Sequence, residues 1–590
     1  MADNYEFFYD GAGSSLDPES GGLFTGYRFP AGRIGAPTSP QTANQIQEVS
    51  SRLSEGIKMV ELQPLQPMTF ETIPKQHMQE INRLSKLTGS EVSVHAPMID
   101  PAGFSDRGKW SESERDEAER QLWNVVERCH ELNPKGNVPI TVHASSVLAA
   151  EYKPKVEGEK EMIVLVNQDT GDMAAARREE KYYPEAKEKI IYTPEKRIRE
   201  INYSEWENNF HPLLVTKQGA NEMVADSIKT LLPIMDKLRK REITAKELTP
   251  EQQTAYNQLG NAKIYLDDIE SKLRAMYNRA YNYGTDKDRE KLKEVAKEWQ
   301  EQAKTITEGA QKGKITSIEL PLMRSQLIDK SIAMLHEINA PEVYKPLEDF
   351  AREKASQTLA NISFKAYKKF KDNAPMVNVE NFFPGSAFSR ADELKKLIET
   401  SREEFVKKAS SEGYSADEAS QAADKLIGVT WDIGHINLLR KAGFGKEKIV
   451  EETKKIAPYV KHLHMTDNFG FEDSHLPVGM GDVPVKEMMK ELEKAGYSGK
   501  AIMEAGGFVQ HFKASPHPYV LEAMGSPLYS AYMQPFWNQA RGTGGGYSSG
   551  YGLMLPDQHF SMYGSGFSSL PSELGGQVQG RSRFAGTPNE

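Results

Sequence analysis

A (β/α)8 TIM barrel of the α/β class, interrupted by one large and mainly helical insertion, is the fold that this 590-residue sequence predicts. Three observations lead there. Short apolar runs of strand length alternate with stretches of helical period, first within residues 24–150 and again within 375–524. Eight such runs are present, the number that closes a parallel barrel. The last six end on or beside a His, Asp or Glu, and a barrel of this kind gathers its chemistry at the C-terminal ends of its strands.

In chain order, residues 1–23 are polar and glycine-rich and read as a loose leader. The first strand is predicted over Thr25–Gly35, followed by a helix with Ile46, Val49, Leu53 and Ile57 at helical spacing. Lys58–Gln63 reads as the second strand and Gln76–Leu87 as the helix after it. The run EVSVHAP gives a third strand ending at His95, the acidic stretch Ser111–Leu132 a helix, and VPITVHAS a fourth strand ending at His143. After residue 374 the rhythm resumes. PMVNVENFFPG ends a fifth strand at Glu380, and IGVTWDIGHINLL ends a sixth at Asp432, with His435 three residues on. Helices are expected over Arg390–Lys408 and Lys446–Ala457. The seventh strand starts at Val460 and reaches His464, with Asp467 behind it. A Gly- and Pro-punctuated loop then carries Asp473 and His475, and an amphipathic helix over Val485–Lys494 leads to an eighth strand ending at Glu504.

Residues 151–374 break this rhythm. Met162–Val166, the turn Asn167–Gly171 and the segment on to Tyr183 read as a hairpin, and IIYTPEKRIREINYSEW as a further strand or two. From His211 to Lys371 the period is helical. Ile269, Leu273, Met276 and Ala280 share one face, as do Leu292, Val295, Trp299 and Ile306, which points to packed long helices whose aromatic stripes are core. Three roles are open to such an insertion: a lid, a substrate-selecting wall, or an arm through which copies form a homo-oligomer. Residues 525–590 form a Gly/Ser/Tyr-rich tail of low complexity with too little apolar surface to fold alone.

Composition narrows the function classes. A net charge of −10 and a pI near 5.9 argue against a generally basic nucleic-acid binder, although one face can still concentrate positive charge. The single cysteine, Cys129, permits no internal disulfide and no cysteine zinc cluster, and it fits a cytoplasmic location. No apolar run approaches the roughly 20 residues that span a bilayer, so no membrane partner is expected.

The chemistry is carried by nine residues: His95, His143, Glu380, Asp432, His435, His464, Asp473, His475 and Glu504. One histidine at a strand end is more often a satisfied core or loop residue than a ligand. Nine ionisable groups at one barrel mouth are another matter. Burying them together without compensating charge is very costly, whereas two or three divalent cations offset the carboxylates and use the imidazole lone pairs. Five histidines beside four carboxylates favour Zn²⁺, with Mn²⁺, Mg²⁺ or Co²⁺ as alternatives.

The order H-A-P, H-x-S, V-E-N, D-x-G-H, H-x-x-D, D-x-H-x-P-x-G-x-G and a strand-end Glu resembles the xylose-isomerase-like TIM-barrel superfamily, which includes endonuclease IV (AP endonuclease family 2) and many sugar isomerases and epimerases. The resemblance covers residues 24–145 and 375–520. The likeness to endonuclease IV implies a trinuclear zinc site. His95 and His143 would hold one ion with Glu380 bridging; Glu380, Asp432, His464 and Glu504 would serve the second; His435, Asp473 and His475 the third. Two positions depart from that enzyme's pattern: Met98 stands where it has a tyrosine, and His143-Ala144-Ser145 where it has H-P-G. The loop after strand two also shows no Arg/aromatic wedge for DNA.

Three functions therefore stand at this level. The first is zinc-dependent phosphodiester hydrolysis, on abasic-site DNA or a related phosphoester, by clustered ions that activate a bridging water. The second is a divalent-metal sugar or sugar-phosphate isomerase or epimerase. In it the catalytic carboxylates Glu380 and Glu504 would exchange a proton alpha to a carbonyl. The third is a metal-bearing scaffold with the insertion mediating assembly.

Overall fold

The computed structural model describes residues 31–505, except 106–107, 144, 155, 157–158, 183–188, 241, 244–246 and 313, together with residues 516 and 520. The expected leader and tail lie outside the described residues, as does the start of the first predicted strand.

Eight strands close a parallel barrel. The first four are β1 (Ile34–Pro37), β2 (Met59–Leu62), β3 (Glu91–His95) and β4 (Pro139–His143). Six short strands follow outside the barrel: β5 (Ala150–Tyr152), β6 (Lys160–Asn167), β7 (Met173–Arg177), β8 (Glu179–Lys181), β9 (Ile190–Tyr192) and β10 (Tyr344–Pro346). The barrel resumes with β11 (Met376–Glu380), β12 (Ile427–Asp432), β13 (Val460–Met465) and β14 (Ala501–Met503). The order around it is β1-β14-β13-β12-β11-β4-β3-β2, so β4 and β11, more than 200 residues apart in the chain, are hydrogen-bonded neighbours. Their register pairs His143 with Glu380, which brings two of the chemistry-bearing positions to one level.

The chain divides into two compact units. The barrel unit comprises residues 1–164, 170–175 and 346–590, and the other residues 165–169 and 176–345. The barrel unit takes in the helix Leu347–Phe370, which the periodicity alone joins to the insertion. Its face is fitted to barrel helices: Phe364 meets Phe405 edge-on at 5.5 Å, and the Tyr367 hydroxyl donates to Glu418. A helix Ala416–Leu426, not expected from the sequence, precedes β12.

In the second unit four long helices, Pro194–Leu231, Pro250–Tyr283, Asp286–Gln311 and Glu319–Glu337, share a core. Phe210, Leu213, Leu266, Ile269, Leu292 and Ile332 meet in it. Leu292 and Ile306 are buried, while Val295 and Trp299 line a cavity of about 350 Å³. Only the first three residues of IIYTPEKRIREINYSEW are strand. Thr193 then caps a helix by accepting from Lys196 N, and Pro194 occupies the first helical position, where its missing N–H is no loss.

The hairpin expected at Met162–Tyr183 is present as β6 and β7. Its turn is pinned to the loop after β3, where Trp110 N donates to the Gly171 carbonyl at 3.0 Å. Gly171 has φ +73°, and a Cβ there would lie 1.9 Å from the Trp110 oxygen. Gly171→Ala should therefore destabilise the barrel unit by about 1–3 kcal/mol, read by chemical denaturation.

Candidate metal centre

Every one of the nine residues singled out lies in one of three groups at the C-terminal end of the barrel: His95, His143 and Glu380; Glu380, Asp432, His464 and Glu504; and His435, Asp473 and His475. The barrel sets this up. His95, His143, Glu380 and Asp432 are the last residues of β3, β4, β11 and β12, and Glu504 directly follows β14. His464 is the penultimate residue of β13.

Three of the five imidazoles are oriented by a backbone carbonyl. His95 Nδ1 lies 2.8 Å from the Ala96 oxygen, His435 Nδ1 2.9 Å from Asn381 O, and His475 Nδ1 3.1 Å from Glu504 O. A carbonyl only accepts, so each Nδ1 carries a proton and Nε2 is the nitrogen left for the site. His143 Nε2 then stands 3.0 Å from His95 Nε2, and Glu380 Oε2 lies 3.5 Å from His95 Nε2 and 3.4 Å from His143 Nε2. Ligands of one tetrahedral zinc ion, each about 2.0–2.1 Å from it, stand roughly 3.3–3.4 Å apart, so these three atoms form a triangle of the right size for one face of its coordination shell.

The central group converges from four consecutive strands of the barrel, β11, β12, β13 and β14. His464 Nδ1 is 2.6 Å from Glu380 Oε1 and 3.6 Å from Glu504 Oε1. Asp432 uses Oδ1 to accept from Gly434 N, His435 N and the Thr466 hydroxyl, which leaves Oδ2 for the site. That network explains the glycine of D-x-G-H, because a Cβ at Gly434 would sit 1.8 Å from the Thr466 hydroxyl oxygen. In the third group Asp473 Oδ2 is 3.4 Å from His435 Nε2 and 2.6 Å from His475 Nε2.

The residues fit divalent ions on a further ground. Glu380 Oε2, Asp432 Oδ2 and Asp473 Oδ1 are buried acceptors without hydrogen-bond partners. Buried acceptors in that state are expensive unless a cation faces them. The electrostatics agree. Burial opposes charge on His464, yet Glu504, Glu61 and Glu380 hold its pKa well above the usual value, so the site is negative enough to retain a proton at its centre. Burial holds His143 down to about 3 and keeps its ring neutral, the ligand form.

Asp467 is a loop staple. Its Oδ1 accepts from Asn468 N and Val483 N and its Oδ2 from Gly479 N, fixing the segment that follows Asp473 and His475. Sequence reasoning missed four supporting residues. Asn381 ties β11 to β12, its side chain accepting from Asp432 N and donating to Asp432 O. Gln63 donates to Glu504 Oε1 at 3.0 Å. Glu61 and His462 lie behind His464, and both carried a signal: a carboxylate inside an apolar strand, and a histidine two residues before a candidate ligand on the same strand face.

A cavity of about 1350 Å³ opens beside His143, with Met98, Asp100, Glu114, Glu117 and Asp172 in its lining. Lys109 is the single basic residue of the lining among the described residues, and it is paired with Asp172 at 3.0 Å. The ring of Phe382 meets that of His143 edge-on at 5.3 Å. No helix among the described residues is long and apolar enough to cross a membrane.

Comparison with known proteins places this centre in context. The family described as xylose isomerase-like TIM barrel matches residues 373–523. An uncharacterized protein of Methanocaldococcus jannaschii is 38% identical over 80 residues, which are 14% of this chain and 26% of that protein. Fructoselysine 3-epimerase of Shigella flexneri is 28% identical over 78 residues, 13% of this chain and 27% of the enzyme. The matched stretches thus span about a quarter of these relatives. Among solved structures, a D-tagatose 3-epimerase-like protein superposes with a TM-score of 0.36 at 11% identity, covering 84% of this chain and 97% of that one. For 3-keto-D-glucoside 4-epimerase from E. coli the values are 0.35, 8%, 84% and 98%.

Two outcomes are expected. Purified without chelator, the protein carries at least two zinc-like ions per chain by elemental analysis, and Glu380→Ala or His464→Ala lowers that content, since each removes a donor atom. Binding at the third group depends on pH. Burial works against charge on His475, but Asp473 and Glu504 outweigh it and lift its pKa to about 9. Below that pH an ion must displace the proton, and His435, where burial is outweighed by Asp432 and Asp473 and the pKa is held well above its usual value, gives up another, so affinity rises with pH and more than one proton is released per ion bound there. Zinc titrations by calorimetry in buffers of different ionisation heat measure that release.

Proposed function

From a barrel of the xylose isomerase-like type, we propose a divalent-metal-dependent isomerase or epimerase of a sugar or sugar derivative. The observation that carries this reading is an acid-lined cavity opening at His143, in a group that shares Glu380 with the central group. Glu380 and Glu504, three strands apart, bring their carboxylates to the same imidazole nitrogen of His464, and four acids against one paired lysine line the cavity at His143. Such a surface repels a polyanion and suits a neutral or cationic substrate. The short stretch of identity with fructoselysine 3-epimerase supports the same direction.

An ion held by Glu380, Asp432, His464 and Glu504 supplies Lewis-acid polarisation of a substrate carbonyl. The chain's own residues do the rest. One of Glu380 and Glu504 takes the proton alpha to the carbonyl, and the other returns a proton to the opposite face or the adjacent carbon. Gln63 orients Glu504, and the rings of Phe382 and Phe383, tilted against each other with centroids 4.2 Å apart, exclude water on the His143 and His435 side.

A second reading, phosphodiester hydrolysis, has one specific observation in its favour. The His95/His143/Glu380 triangle and the His435/Asp473/His475 group are complete, although one-ion isomerase chemistry requires neither.

One experiment separates them. The zinc- or manganese-loaded protein is incubated with ketoses and their amine and phosphate derivatives in deuterated water, and separately with duplex DNA carrying an abasic site. The expected result is deuterium incorporation beside the carbonyl, at least about 100-fold slower in Glu504→Gln, without DNA incision. Incision with steeply salt-dependent DNA binding and no sugar exchange overturns the proposal in favour of hydrolysis. Activity in neither assay overturns both and moves the weight to a metal-bearing scaffold.

A further inference from the structure

One layer below the metal-binding residues the barrel interior is polar where most barrels are aliphatic. Ser93, Thr141, Asn378, Thr430 and His462 are buried there, and among them is a fully buried carboxylate, Glu61 of β2. Its surroundings are specific. Glu61 Oε2 accepts from the Ser93 hydroxyl at 2.8 Å and lies 2.9 Å from His462 Nε2, in line with the ring N–H. Its second oxygen, Oε1, lies 2.9 Å from His464 Nε2, off the N–H axis. Ser93 and His462 therefore anchor Glu61, and its free oxygen reaches the back of a ring whose front, Nδ1, faces Glu380 and Glu504.

A neutral imidazole carries one proton and presents one lone pair, on opposite sides of the ring. Whichever nitrogen faces a fixed carboxylate keeps the proton, so the other becomes the donor atom. His464 is the one histidine of the nine that would bind through Nδ1. No backbone carbonyl selects that tautomer among its described contacts, as one does for His95, His435 and His475.

We propose that Glu61 is a positioning residue for the metal centre: anchored by Ser93 and His462, it holds the Nε2 proton of His464 and so turns the Nδ1 lone pair into the central group. The inference rests on the metal-binding reading of that group. The same three residues do not need an ion of their own, because Oε2 already has two hydrogen-bond partners and His464 would have to bind metal through both nitrogens.

The test uses the full chain, zinc as the probe, and the variants Glu61→Gln, Ser93→Ala and His462→Gln. Nitrogen-15 spectra of histidine-labelled protein report the His464 tautomer, assigned with His464→Gln. Chelator competition reports the affinity of each bound zinc. Wild type is expected to show His464 protonated at Nε2. In Glu61→Gln one zinc should weaken by roughly ten- to a hundredfold while the others are unchanged, with Ser93→Ala and His462→Gln intermediate. A merely structural role for Glu61 would weaken all zinc ions together and leave the tautomer as it was. Uniform weakening, unchanged affinity, or a His464 ring protonated at Nδ1 overturns the proposal. Should Glu61→Gln not fold, Ser93→Ala carries the same comparison. Should the wild type bind no zinc, the metal reading falls, and the tautomer spectrum decides the role of Glu61 alone.

Discussion

Four carboxylates, Glu61, Glu380, Asp432 and Glu504, are buried at one end of a single barrel, and their mutual repulsion is the constraint on which the rest of the site depends. Isolated in a low-dielectric interior, each would be expected to take up a proton. Instead Glu380 and Glu61 are held well below the usual carboxylate range. Burial pushes the other way, but for Glu380 the imidazoles of His464 and His143 outweigh it, and for Glu61 those of His464 and His462. Glu504 goes the opposite way, raised by burial with Glu380 adding to it. A site where imidazoles hold Glu380 and Glu61 ionised while Glu504 is pushed toward its protonated form is short of positive charge, which is what a divalent ion supplies.

That shortage explains how the donors are arranged. Backbone carbonyls spend the Nδ1 protons of His95, His435 and His475, and main-chain amides with Thr466 occupy one oxygen of Asp432. Each contact uses up the side of the group that faces the protein and leaves one donor atom for the barrel mouth. Holding a ligand this way freezes rotamers before any ion arrives, so the ordering cost is met during folding and not at binding. The Phe382–Phe383 pair against His143 and His435 does the same through packing.

Much of the barrel was legible in the sequence because its strands are short, apolar and punctuated by turns. Six of its ends were marked by residues rare in a core. The nine site residues could be picked out one by one for that reason, and the structure brings them into the same three groups that the resemblance implies. What stayed hidden depends on partners distant in sequence. Glu61 shows in the sequence only as a carboxylate inside an apolar strand, and its role emerges once its oxygens meet His462 and His464 of β13, while Asn381 acquires its role only through the β11–β12 pairing. The extent of the insertion was ambiguous for a similar reason. The helix Leu347–Phe370 has the period of its predecessors, and only the rings of Phe405 and Tyr414 show which core it serves. For IIYTPEKRIREINYSEW the local signal was present and went unused, since Thr-Pro before a helical period marks a helix start.

The choice between chemistries turns on the flanking groups. A central ion alone suffices to polarise a carbonyl, and the acid-lined cavity next to His143 suits a substrate without excess negative charge. Yet His95 and His143 face each other with their Nε2 atoms 3.0 Å apart, and two bare lone pairs at that distance repel unless a proton or a cation lies between them. A neutral His143 protonated at Nε2 meets that need by donating to His95 Nε2, and an ion bound there would take the place of that proton. Held by His95, His143 and Glu380, a second ion would use both lone pairs and would supply Lewis-acid chemistry at the cavity side in either reaction. A polynuclear centre and an acidic approach to it are compatible, and the approach bears on which substrates arrive whatever ions are held.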